Sequence, residues 1–182
     1  MDSLRGRFLI ASRHLPDVNF SRAVVLMIQD DADGALGVIV NRPMKNTVGD
    51  VWDLVVDLEC DCQDPIHVGG PVQGPLLALH TEADLSETEI LPGLFLATEK
   101  ERLNQLVQSS GTFRIFSGYS GWDSGQLADE MKAGGWLTAP ANEELVFSNP
   151  DELWKRVTES IGLEVLSSTV GKRAVVANPL LN

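Results

Sequence analysis

The stretch Gly118-Tyr119-Ser120-Gly121-Trp122-Asp123-Ser124-Gly125-Gln126 carries the residue types and spacing most suggestive of chemistry in this chain. A serine set among glycines, after an apolar strand and before a helix, is the setting of a hydrolase nucleophile elbow. The G-x-S-x-G pattern fails at its last position, where Trp122 stands. His14, His67 and His80 all precede Ser120, whereas that fold needs a histidine after its serine. Triads of another order are defined by geometry, and no residue pair here argues for one. The same backbone could offer free N–H groups to a phosphate at a helix N-terminus. Asp123, three residues before Gln126, opposes that: the two form a capping-box-like pair, and the carboxylate would repel an anion. A binding surface remains, with Tyr119 and Trp122 as aromatic walls, Asp123 and Gln126 as polar groups, and Arg22, Asn41 and Arg42 as further candidates nearby. The competing reading makes Tyr119 and Trp122 packed amphipathic residues, the glycines relief of crowding, and the two arginines surface ion-pair partners.

Other candidate chemistry is thinner. Cys60 and Cys62 are one residue apart, and His67 could be a third ligand, but zinc takes four ligands and favours wider cysteine spacing. No metal is expected there, and the pair reads as reduced loop thiols. The acidic run Asp30-Asp31-Ala32-Asp33-Gly34 lacks the calcium-loop spacing and reads as a hairpin turn. Walker A and dinucleotide fingerprints are absent, so no cofactor is expected. With 14 basic against 26 acidic residues the net charge is −12, which repels a phosphate backbone and disfavours direct nucleic-acid binding. The longest apolar runs, Val24 to Ile28 and Ala35 to Val40, fall well short of the roughly 20 residues a membrane span needs. The N-terminal M-D-S-L-R-G-R-F-L-I-A is too short in apolar residues for a secretory signal, so a cytoplasmic location is expected.

The elements that must position these residues follow from periodicity and punctuation. Strands are expected at Arg7–Ala11, Val24–Gln29, Ala35–Asn41, Ile66–Val68, Leu76–His80, Leu94–Thr98, Phe113–Phe116, Trp136–Ala139 and Leu145–Phe147. A polar loop through His14, Pro16, Asp17 and Asn19 follows the first. Thr47 caps a helix with Asp50 three residues on, and the cysteine-bearing loop from Asp57 to Asp64 comes after it. Thr98 and Glu101 form a capping box for a helix ended by Gly111. A glycine-rich turn leads from Phe113–Phe116 into a helix bearing Leu127 and Met131. Asn149, Pro150 and Glu152 open a last helix, with Trp154 among its inward-facing residues, and Gly162 closes it. The tail from Leu163 to Asn182 holds one further candidate strand at Ala174–Ala177. The 182 residues fit one domain, with no repeat or linker.

The chain resembles the AlgH/YqgE family of bacterial proteins. The matching pieces are Gly6 with F-L-I-A, F-S-R-A-V-V from Phe20, G-A-L-G-V-I-V-N-R-P from Gly34, G-G-P-V from Gly69, S-G-Y-S-G-W-D-S-G-Q-L from Ser117, and W-L-T-A-P from Trp136. They occur in family order over about residues 6–162, leaving 163–182 as a tail. The resemblance implies a single α+β domain whose mixed sheet bifurcates into a pseudo-barrel with helices packed outside. The family bears the label of a transcriptional regulator of alginate synthesis and implies no established activity. Asp123 stands where the family's turn usually has Gly, which argues against a shared anion site, and the cysteine loop is not a family feature. The expectation is a cytoplasmic, non-enzymatic binding or regulatory module that takes a small molecule or protein partner through the Tyr119–Gln126 surface and acts on transcription indirectly. Two alternatives stand beside it: an enzyme using Arg22, Arg42 or His80 near the same turn, and a direct DNA-binding regulator.

Overall fold

Successive residues of a strand face opposite sides of its sheet, and the apolar strands here bury both sides. The computed structural model describes residues 3–12, 15, 17–55 and 60–176; His14, Pro16, positions 57–59 of the cysteine loop and the tail end at 177–182 lie outside the described residues. The strands are Arg7–Ala11 (β1), Val24–Asp31 (β2), Gly34–Ile39 (β3), Pro43–Thr47 (β4), Pro65–Val68 (β5), Leu77–His80 (β6), Thr88–Leu91 (β7), Leu94–Ala97 (β8), Phe113–Ser117 (β9), Ser120–Asp123 (β10) and Trp136–Pro140 (β11). The helices are Val48–Val55 (α1), Lys100–Val107 (α2), Gln126–Lys132 (α3), Glu143–Val146 (α4) and Pro150–Val176 (α5).

One sheet has the order β10-β3-β2-β1-β11 and is antiparallel throughout. The other has the order β4-β5-β9-β6-β8-β7 and is mixed, because β5 and β9 run parallel. Phe8, Ile10, Val24, Leu26 and Val38 meet Leu79, Leu94 and Phe116 between the sheets, and Val146, Leu153 and Val157 of α4 and α5 close that core. The alternate residues Leu9, Val25, Met27 and Ile39 face outward under α3 and the aromatic residues Phe20, Trp122 and Trp136. On the far side of the second sheet, Trp52, Leu103 and Leu106 bring α1 and α2 against Ile66, Ala78 and Ile115.

The sheets part where the chain changes from one to the other. Residues 40–42 carry β3 into β4, and Gly118-Tyr119 carries β9 into β10. Gly118 takes φ 74°, a left-handed conformation that suits glycine. The junction is stitched by Ile39 N donating to Gly69 O at 2.8 Å and by a reciprocal pair between Val72 and Tyr119 at 3.0 Å. A side chain at Gly70 would collide with the Tyr119 backbone. The G-G-P-V motif therefore keeps the junction closely packed.

Local motifs and tertiary packing disagree at several points. The glycine-rich turn contains β10, which pairs with β3 from Gly34 to Gly37, so the route is strand, bend, strand, helix. Leu145–Phe147 is not a strand: Asn142 Oδ1 accepts from Leu145 N at 2.8 Å and starts α4. Thr98 does not cap α2. Glu87 reaches across to accept from Thr98 N, Thr98 Oγ1 and Glu99 N at 2.6–2.8 Å, a long-range clamp with no local signature. Gly162 does not stop α5, which continues to Val176 and occupies the candidate strand from Ala174 to Val176; a helix tolerates an interior glycine at a cost of about 1 kcal/mol. The Thr47–Asp50 cap forms as expected, with bonds of 2.9 and 3.1 Å in the two directions.

Candidate functional site

The seven candidate site residues fall into two regions. On the glycine-rich segment, Trp122 is 6% exposed and packs with Phe20 at 6.1 Å and Trp136 at 5.7 Å between ring centroids, and those two rings lie 5.0 Å from each other. Its indole N–H donates to Glu130 Oε2 at 3.1 Å, and the Trp136 indole donates to the same oxygen at 2.7 Å. Gln126 Nε2 donates to Glu130 Oε1 at 2.8 Å, while its own Oε1 accepts from Asp123 N at 3.0 Å. Half of the capping-box geometry is present, but the N-cap of α3 is Gly125 and the Asp123 side chain is not its cap. Tyr119 is half-buried against the inner core. Of these four residues Trp122 turns inward, Tyr119 is half-buried, and Asp123 and Gln126 are exposed, while one carboxylate on α3 collects three of the neighbourhood's donors.

Arg22, Asn41 and Arg42 do come together. They line a groove of about 480 Å³ with Trp154 and Lys155 of α5, and Asp151 is its one carboxylate. Arg22 is the one non-glycine residue with positive φ among the described residues, at 54°. A left-handed conformation costs an ordinary side chain about 1 kcal/mol, so the surroundings must hold it. Asn41 does so twice, donating from Nδ2 to Arg22 O at 2.9 Å and accepting at Oδ1 from Val24 N at 2.8 Å. Arg42 Nη2 donates to Ser21 O at 3.1 Å. The bend displays the Arg22 guanidinium over the Trp154 ring, 5.7 Å from its centroid. Partial burial lowers the Arg42 pKa, opposed by the Asp17 carboxylate.

Beyond Pro150, which borders both spaces, lies a cavity of about 460 Å³ lined by Asp64, His67, Thr112, Arg114 and Phe147. Arg114 sits in β9, with Nη1 donating to Val40 O at 2.9 Å and Val146 O at 2.7 Å, and Nη2 to Ser148 O at 3.3 Å. It thereby ties α4 to the place where the sheets part. His67 is 2% exposed. Its Nδ1 faces Pro65 O at 3.2 Å, which selects the Nδ1–H tautomer and leaves Nε2 as an acceptor without a partner. Burial and then the Arg114 charge push this imidazole down to about 4, against the Pro65 carbonyl.

A model of the AlgH-like family matches residues 8–166. The chain belongs to the AlgH-like family. It is 39% identical over 165 residues to a UPF0301 protein of Chlorobaculum parvum, covering 86% of each chain. It is also 34% identical to a UPF0301 protein of Pseudomonas fluorescens, with 92% of this chain and 95% of that protein covered. The solution structure of the AlgH protein from Pseudomonas aeruginosa superposes with a TM-score of 0.73 at 28% identity, covering 99% of this chain and 96% of that one.

Within this AlgH-like fold, the arrangement needed for an enzyme built on Arg22, Arg42, His80 and Asp123 does not form in one cleft. His80 is buried on β6 beside Phe95, and Asp123 pairs with Gly34 at the other sheet's edge. Cys60 and Cys62 are half-buried free thiols, and no group of three or more potential metal ligands is present among the described residues. No helix among the described residues is long and apolar enough to cross a membrane. Sequence reasoning missed Arg114, whose one signal was a charge inside the otherwise apolar run Phe113–Phe116. It also placed Trp154 in the core without its role under Arg22, since an amphipathic ring on a helix reads as packing from spacing alone.

Proposed function

We propose that this AlgH-like protein is a non-enzymatic, cytoplasmic binding module whose recognition surface is the groove of Arg22, Asn41, Arg42, Trp154 and Lys155, and that its ligand is a small anion. The observation that carries the reading is Arg22: a strained, non-glycine bend held by Asn41 and presenting a guanidinium on an aromatic ring. Strain of this kind persists where surrounding structure over-determines it, and it concentrates at ligand-binding sites. The groove gathers three cations around one carboxylate in a chain of net charge −12, so local attraction of an anion coexists with global repulsion of a nucleic acid. Regulation by such a module runs through its ligand and any protein it meets, without direct DNA contact.

A thermal-shift screen of anionic metabolites against the full chain, repeated with Arg42→Gln, tests this. A ligand at a hundred times its dissociation constant adds about 2.7 kcal/mol, enough to move the midpoint by several degrees. The expected result is a selective shift lost in the variant. A shift retained in Arg42→Gln, or a response limited to duplex DNA, would refute the assignment.

A further inference from the structure

We infer that the His67–Arg114 cavity is a second, separate binding site, for a small oxyanion that keeps a hydroxyl proton, of which hydrogenphosphate is the simplest. The inference stands on the donors and acceptors that line the space and does not depend on the groove.

A guanidinium carries five N–H donors. Three are spent on the carbonyls of Val40, Val146 and Ser148, so two remain, on Nε and Nη2. Those nitrogens form the side-on edge of the guanidinium, the geometry that grips two oxygens of one oxyanion. His67 and Asp64, each with an acceptor, are among the residues around the same cavity. His67 Nε2 is buried, holds a lone pair in the tautomer set by Pro65, and has no partner. The Asp64 carboxylate stands near enough to act on the Arg114 charge without forming an ion pair with it. A bare anion would satisfy Arg114 and be repelled by Asp64, leaving His67 unpaired. A neutral hydroxyl compound would satisfy His67 and leave the Arg114 edge idle. An oxyanion with its own O–H serves all three: its oxygens accept from Arg114, and its hydroxyl donates to Nε2 or to Asp64. The neutral imidazole is consistent with this, since a protonated His67 would be a donor and would lose the selectivity. Val48, Phe113, Ile115 and Phe147 wall the rest of the space, leaving room for a carbon skeleton attached to the anion.

Phosphate and sulfate separate these possibilities, because they share size and tetrahedral shape and only phosphate retains a proton near neutral pH. Calorimetric titration of the full chain with each, at matched ionic strength, is expected to give phosphate affinity at least about tenfold higher, the scale of rejection when a buried acceptor is left unpaired. His67→Phe keeps a ring beside Phe116 while removing the acceptor, and it should bring phosphate down to the sulfate level. Side-chain nitrogen NMR of the unmodified protein supplies a readout that survives a folding failure of that variant: the His67 Nε2 resonance should move with phosphate and not with sulfate. Equal affinities, absence of phosphate binding, a preference that survives His67→Phe, or an unmoved Nε2 resonance would each overturn the assignment.

Discussion

The glycine-rich segment around Trp122 is the foremost candidate as sequence and the bend around Arg22 a further one beside it, and the fold treats the two in opposite ways. Around Trp122, polar groups are consumed internally: Glu130 takes two indole protons and an amide proton, and Gln126 takes the Asp123 N–H. Around Arg22, the backbone is held by Asn41 so that a cation is left facing a groove. A saturated network lowers the free energy of the fold and has little left to offer a ligand. A strained bend with open donors does the reverse. Trp122 thus sits in packing with its indole proton spent, whereas the positive φ at Arg22 borders the groove proposed above as the recognition surface.

Four perturbations would break or sharpen that contrast. Trp122→Ala should have the largest effect, lowering stability by about 4 kcal/mol in a denaturant melt, as expected for emptying a buried indole site. If the variant kept wild-type stability while losing a ligand response, the two regions would have to exchange roles. On the cavity side, acid should act through His67. Its folded-state pKa of about 4 lies below the ordinary 6.5, so the stabilisation from keeping it neutral is full above pH 6.5 and is lost as pH falls through about 4. The amount is about 3 kcal/mol, and chemical denaturation across that range should show a flatter acid limb in His67→Phe. Glu130→Ala should cost about 2 kcal/mol by stranding the Trp122 and Trp136 indoles while leaving any groove ligand bound; a binding defect at intact folding would count against a purely structural role. Asp123→Ala, at an exposed carboxylate with no capping bond, should change stability by less than about 0.5 kcal/mol, read as an unchanged melting midpoint.

Much of the framework was legible from local pattern. The β2–β3 hairpin, the Thr47–Asp50 cap, and the Asn149–Pro150 start of α5, where Asn149 Oδ1 accepts from Asp151 N at 3.0 Å, all rest on neighbours a few residues apart. The misses have long-range causes. Glu87 caps α2 from 12 positions upstream of Glu99, and β10 looks like a turn until β3 is there to pair with it. Of the site, the motif F-S-R-A-V-V held Arg22 and N-R-P held Asn41 and Arg42, but their convergence on Trp154 depends on α5 folding back over the point where the sheets part. Arg114 and His67 were hidden for the same reason: a strand pattern reports which residues alternate, and not which buried donors remain unspent.

Arg22→Gly tests the central claim most directly, by comparing thermal midpoint and ligand response in one experiment. Glycine adopts φ 54° without strain, so relief of about 1 kcal/mol offsets the lost contact with Trp154. The expected result is a midpoint equal to or above that of the wild type together with a lost response to the anionic ligand. A lowered midpoint with the response intact would show that Arg22 serves the fold, and the groove would no longer be the site.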